Sequence, residues 1–212
     1  MPGRSEKFKE LNHQLKLREE LYRVMSVALL DPPEIKLLQF LSENYSFLFG
    51  ENKIPLEDLI KNLRIDFTNL FVLSSPPYES VLLDKSGYLN SKITDNVNDF
   101  FRHSGFNPSA KNIGQKFHSV LSMDHISVEL EFMSHLAKNQ HNSLSEENEN
   151  EYYKWLNLSS KFLDTHLLKW GPIYLTAIAR DSKTIFYKEL CAWTQDFILE
   201  DRKHIEDVSK RN

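Results

Sequence analysis

The sequence predicts an all-α fold, a helical bundle of two lobes. Three observations carry that expectation. Apolar residues recur at helical spacing along most of the 212 residues, only six residues are glycine, and no stretch alternates apolar with polar side chains as a half-buried strand does. A chain so poor in glycine is not a turn-rich β-sandwich.

The elements follow in order. Phe8, Leu11, Leu15, Tyr22, Met25 and Leu29 share one helical stripe, with Leu17, Leu21, Val24 and Ala28 beside it. A stripe that wide belongs to a helix buried on two sides. Asp31-Pro32-Pro33 stops it, because the residue before proline is driven out of the helical region. A second helix carries Ile35, Leu38, Leu41 and Tyr45 and ends near Gly50. Pro55 suits the start of a third, with Leu56, Leu59, Ile60, Leu63, Phe67, Leu70 and Phe71 at helical period, until Ser74-Ser75-Pro76-Pro77 breaks it. Asp84-Lys85-Ser86-Gly87 reads as a turn. Thr94 is the expected cap of a helix bearing Val97, Phe100 and Phe101, closed by Gly105 at C′.

Phe106 to Ser122 is irregular and holds Pro108 and Gly114. It is the expected hinge, residues 106–122, between an N-terminal lobe of residues 1–105 and a C-terminal lobe of residues 123–212. Such a hinge permits exchange of lobes between two chains, so a monomer or a lobe-swapped dimer is expected. A helix then spans about Asp124 to Lys138, and the polar, acidic Gln140 to Asn150 reads as a solvated loop merging into a helix start. Trp155, Leu158, Phe162 and His166 mark the next core stripe, which Trp170-Gly171-Pro172 is expected to end. Helices at Ile173 to Arg180 and Thr184 to about Glu200 complete the chain, and the last twelve residues, mostly polar, are expected to fray.

Composition narrows the function. The chain is 41% hydrophobic and 26% charged, an ordinary globular balance. Its net charge of −4, with no basic stripe, argues against a nucleic-acid partner. A single cysteine, Cys191, allows no disulfide within the chain and fits a reducing compartment. Its neighbours Leu190, Ala192 and Trp193 predict a buried, inert thiol. Met1 to Glu10 lacks the apolar core of a signal peptide, and no apolar run is long enough to span a bilayer, so a cytoplasmic protein without stable membrane insertion is expected.

One segment concentrates polar groups on a helix. In Asp124-His125-Ile126-Ser127-Val128-Glu129-Leu130-Glu131-Phe132-Met133, His125 and Glu129 are i,i+4 neighbours, as are Glu131 and His135. Asp124 can cap the helix start, and Ile126, Leu130 and Met133 face a core. One interpretation is a capped amphipathic helix with solvated acids. The other is an acidic rim beside an apolar groove, suited to a peptide that is basic and then apolar, since guanidinium groups pair bidentately with carboxylates. A di-iron bundle needs two Glu-x-x-His pairs, and only Glu10-Leu11-Asn12-His13 has that spacing. No Walker loop, dinucleotide fingerprint or nucleophile elbow occurs. The rigid Ser74 to Asp84 segment reads by itself as a buried linker packing Tyr78 into the core.

The motifs in sequence order resemble the TorD/DmsD/NarJ family of cytoplasmic chaperones. Leu70-Phe71 is followed by Pro76-Pro77-Tyr78-Glu79-Ser80-Val81-Leu82-Leu83-Asp84, then by Val97, Phe100, Phe101 and Gly105. Next come Asp124 to Met133 and Phe162-Leu163-Asp164-Thr165-His166-Leu167-Leu168-Lys169-Trp170. Two departures stand out: Val72-Leu73-Ser74-Ser75 replaces a frequent Gly-Pro, and Met123 replaces a frequent proline before Asp-His. The resemblance implies a chaperone rather than an enzyme, with no cofactor of its own. The implied partner is the catalytic subunit of a molybdopterin oxidoreductase with its leader peptide, a twin-arginine leader, held until cofactor is inserted. It also implies peptide-binding roles for Tyr78, Glu79, Asp124, His125 and Glu129. The competing expectations are a metal- or nucleotide-dependent helical enzyme, or a structural adaptor without leader-peptide binding.

Overall fold

The apolar stripe of the first helix becomes the spine of the bundle. The computed structural model describes residues 4–51, 54–108 and 122–210, with side chains from residue 9 onward in the first helix. Helix α1, Arg4–Leu30, lies along α6, Ile126–Ser145, in the most extensive packing of any two elements. Leu15, Tyr22, Met25, Ala28 and Leu29 are buried there, while Leu17 is 45% exposed, so the stripe is narrower than its apolar content suggests. Helix α7, Glu149–Phe162, packs on α6, and α9, Ile185–Lys210, packs on both α7 and α8, Leu168–Asp181. The smaller α2 (Ile35–Asn44), α3 (Leu56–Phe67), α4 (Glu79–Leu83) and α5 (Lys92–His103) complete the order. Buried residues from both sides of residues 109–121 belong to one apolar core. The expected hinge falls largely on those residues and lies outside the described ones.

The all-α expectation holds: among the described residues there is no strand, only an isolated antiparallel bridge between Tyr78 and His125. None of the described helices is long and apolar enough to cross a membrane. The Asp84–Gly87 turn is present, closed by Gly87 N–H to Asp84 O at 3.0 Å. Gly105, at φ 67°, ends α5 as foreseen: its N–H reaches Arg102 O and that of Phe106 reaches Phe101 O, the paired bonds of a Schellman close.

Five boundaries differ from expectation, each for a physical reason. Ser91, not Thr94, caps α5, its Oγ accepting from Ile93 N–H at 3.2 Å; Thr94 is buried and meets the Ser122 hydroxyl. His125, not Asp124, is the N-cap of α6. The supposed loop from Gln140 to Asn150 is mostly helix: α6 runs to Ser145 and only residues 146–148 connect it to α7. Gln140 is fully buried because Arg18 and Ser159 satisfy its amide. Trp170-Gly171-Pro172 does not end a helix either. A wide π turn, Leu163–Leu167, leads straight into α8, which carries Pro172 within it. Gly171 permits the close approach: an added Cβ would lie 3.3 Å from Leu167 Cδ1 and 3.7 Å from Ile126 Cδ1. Lastly, the C-terminal residues do not fray as expected through Lys210, since Asp201 and Ile205 are buried on the inner face of α9.

Two buried carboxylates tie distant helices. Asp66, in α3, accepts from Lys183 N–H, Thr184 N–H (2.8 Å) and Thr184 Oγ1 (2.7 Å), closing the orphan amides at the start of α9. Asp201, in α9, accepts from Arg18 through two guanidinium nitrogens at 2.5 and 3.0 Å, and from the Tyr22 hydroxyl at 2.8 Å. Arg18 also reaches Gln140 Oε1 at 3.0 Å, so α1, α6, α7 and α9 share one buried polar network.

Candidate functional site

The two family-like motifs, 44 residues apart at their centres of contact, fold into a single junction. The backbone of Pro76 to Ser80 lies antiparallel to the start of α6. Ile126 N–H donates to Pro77 O at 2.9 Å, and Glu79 N–H donates to Asp124 O at 3.0 Å. Two prolines leave this segment extended, so its carbonyls face outward from any helix and are free to accept. Asp124 Oδ2 takes Ser80 N–H at 2.7 Å, which makes it the cap of α4 rather than of its own helix. Its Oδ1 accepts from the Ser122 hydroxyl, itself in contact with Thr94 of α5 at 3.3 Å. One carboxylate therefore ties α4, α5 and the start of α6.

His125 sits in extended backbone, φ −75° and ψ 139°, and its Nδ1 accepts from Ser127 N–H at 3.1 Å. That acceptor role places the ring proton on Nε2. Burial lowers its pKa to about 3, against the raising effect of Asp124, so the ring is neutral. The Tyr78 ring meets it edge-on at 5.0 Å.

Beneath lies a carboxyl pair. Glu79 Oε2 is 2.8 Å from His166 Nδ1, both side chains nearly inaccessible. Glu129 Oε2 accepts from Trp170 Nε1 at 3.2 Å, while its buried Oε1 has no hydrogen-bond partner among the described residues. Burial, then the charge of Glu79, holds the Glu129 carboxyl well above the usual range. Phe100 and Phe162 flank His166, with ring centroids 5.2 Å away.

The structure thus brings together all five residues singled out in the sequence, but not as an open rim. Tyr78, Glu79, Asp124, His125 and Glu129 are each at most 6% exposed. The expected acidic rim is corrected in this respect: backbone amides and a neighbouring hydroxyl occupy the Asp124 and His125 side chains. Glu131 is buried as well. His166 and Trp170, the residues that complete the pair, lay in the last family-like segment, but nothing in their spacing tied them to Glu79 or Glu129. Large apolar side chains are exposed on the elements that meet at the junction. Val72 and Leu73 of the π turn Thr68–Ser74, Leu82 and Leu83 of α4, and Ile173 of α8 are between 41% and 76% exposed. Tyr174 joins these elements through its hydroxyl, which donates to Ser75 O at 2.8 Å.

Chemically the junction holds and positions. Among the described residues no three His, Cys, Asp or Glu side chains come together to hold a metal ion. Cys191 is fully buried, and burial pushes its thiol further up, away from the reactive thiolate.

Comparison with known proteins agrees with the motif order. Residues 28–175 match the family described as nitrate reductase delta subunit. The chaperone protein TorD of Aliivibrio fischeri is 28% identical over 153 residues, covering 70% of this chain and 66% of that protein. The TorD of Aliivibrio salmonicida is 27% identical over the same shares. That of Photobacterium profundum is 32% identical over 131 residues, covering 59% and 56%. The match spans less than two thirds of each relative's length.

Proposed function

Because the chain belongs to the nitrate reductase delta subunit family, we propose that it is a chaperone, not an enzyme, for the catalytic subunit of a molybdopterin oxidoreductase. It binds the subunit's leader peptide, a twin-arginine leader, in the cytoplasm and holds it while cofactor is inserted. The observation that carries this reading is the agreement of relatives from three species, each named chaperone protein TorD. The exposed apolar surface around the junction supports it, since an apolar helix or strand of a client needs such a surface to lie on. In this role Tyr78, Glu79, Asp124, His125 and Glu129 serve peptide binding from beneath. They fix the Pro76 to Leu83 segment against α6, and Leu73, Leu82, Leu83 and Ile173 receive the apolar run of the leader.

The test is a titration of fluorescent leader peptides, taken from molybdoenzyme catalytic subunits of the same organism, against the purified protein. Saturable binding is expected for at least one of them. It should weaken about tenfold or more in the Leu73→Ser, Leu82→Ser, Ile173→Ser triple variant, since each exposed side chain contributes part of its burial energy. A folded protein that binds none of the leaders refutes the proposal.

A further inference from the structure

Glu129 lies inside the junction with one oxygen left over. The residue is fully buried, Trp170 Nε1 is its one printed donor at 3.2 Å, and Oε1 has no hydrogen-bond partner among the described residues. Glu79, 2% exposed, bonds to the same stretch of chain one turn earlier, at His166. Two carboxyl groups from different helices are thus fixed on successive turns in a dry interior.

The groups around Glu129 offer little to a negative charge. Glu79 comes from α4, and Asp124 with the neutral His125 from the start of α6. His166 and Trp170 come from the π turn and α8. Helix α1 packs on this part of α6 with Ser26, whose hydroxyl donates to Ser127 O at 2.7 Å. Among the described residues no lysine or arginine pairs with Glu79 or Glu129. An ionised carboxylate has about four acceptor sites, and a single neutral indole N–H fills one. A buried charge so poorly answered is unfavourable, so the closed junction needs a protonated Glu129. The raised pKa of Glu129 agrees with that arrangement.

One element is free to give way. Helix α4 has five residues, and Leu82 and Leu83 on it are 48% and 41% exposed. Its segment is held to α6 through Ile126 N–H on Pro77 O, Glu79 N–H on Asp124 O and Ser80 N–H on Asp124 Oδ2. Few bonds and little buried apolar surface make it a unit that opens before the bundle does.

We propose that the junction is a proton-controlled latch: with Glu129 protonated the Pro76–Leu83 segment is closed on α6, and loss of that proton to solvent releases it. The second negative charge repels Glu79, α4 moves out, and water enters to solvate both carboxylates. Leu82 and Leu83 then leave their places beside Leu73 and Ile173. That last consequence, release of a client as pH rises, rests on the chaperone reading; the latch itself does not.

The experiment is hydrogen–deuterium exchange of the full chain without client, from about pH 6 to about pH 9, with rates corrected for intrinsic exchange. Protection at Ser80 and Ile126 should fall about tenfold or more across this range, while that of Ile198 in α9 holds. Glu129→Gln keeps an acceptor for Trp170 and cannot ionise, so its Ser80 and Ile126 amides should stay protected. Glu79→Gln removes the repelling charge and should move the loss to higher pH. Constant protection at Ser80 and Ile126 in wild type overturns the latch. So does an equal loss in Glu129→Gln, or, where that variant does not fold, an unshifted loss in Glu79→Gln. Because no client is present, these outcomes are separate from failure of the leader titration.

Discussion

Replacing Asp124 separates a structural carboxylate from a peptide-contacting one. Its side chain is fully buried and has two partners on other elements, Ser80 N–H and the Ser122 hydroxyl. Asp124→Ala orphans the Ser80 amide, a buried donor whose loss of partner costs about 1–3 kcal/mol. Loss of the serine bond adds about 1 kcal/mol. Together these give about 2–4 kcal/mol, or a melting temperature lower by about 5–15 °C for a chain of this size. Asp124→Asn keeps an acceptor for Ser80, and asparagine caps about as well as aspartate, so its cost should be about 1 kcal/mol. The assay is urea unfolding followed by far-UV circular dichroism, with both variants beside wild type. An alanine variant within about 0.5 kcal/mol of wild type, the range of an ordinary surface substitution, would show that the carboxylate does not hold the junction.

Two other outcomes follow from buried charges. Asp201→Ala leaves Arg18 buried without its partner and should cost about 3–5 kcal/mol in urea unfolding, while Arg18→Met with Asp201→Leu should recover most of that, because two apolar side chains leave no stranded charge. His125 has its folded pKa depressed to about 3, so its contribution is fully present above the unfolded value near 6.5 and is lost as pH falls between the two; from about pH 7.5 to about pH 5 wild type should lose about 2 kcal/mol more stability than His125→Asn. Glu129, with its pKa raised, acts oppositely and loses stability as pH rises through its folded value, which is why the comparison is between variants and not of one protein across pH. Equal losses in the two proteins would contradict the buried, neutral histidine.

The fold was legible wherever apolar period and backbone chemistry agreed. Leu63, Phe67, Leu70 and Phe71 are all buried on the face their spacing indicates, and Gly105 takes the positive φ its position asks for. What misled was the rule that polar means solvated. Gln140 and Asp201 read as loop and frayed end because their partner, Arg18, lies 122 and 183 residues away in sequence. A signal was present in the stripe itself. Arg18 interrupts the run Leu11, Leu15, Tyr22, Met25 at the very spacing of its apolar members, and Asp201 does the same between Ile198 and Ile205. A charge in register with an apolar stripe needs a buried counter-charge, and two such charges on different helices are candidates for each other. Proline misled in the other direction, since Pro172 lies in the second turn of α8 and the helix continues through it to Asp181.

The same limit governs the candidate site. A sequence shows that Asp124 and Glu129 share a helix with apolar neighbours, but not that a proline-held segment 44 residues upstream supplies the amide that fills Asp124. Once that contact is known, the five motif residues acquire a common reason to occur together: each packs on or bonds to a group buried in the same junction. Tyr78 covers the ring of His125, Asp124 caps α4, Glu79 pairs with His166, and Glu129 accepts from Trp170. Substituting any one strands its partner in a dry interior, so a binding defect in such a variant is expected even if none of the five touches a client. Affinity measured on these variants distinguishes contact from support only when stability is measured on the same protein. The exposed Leu73, Leu82 and Ile173 carry no such coupling, and loss of binding there reports on the surface itself.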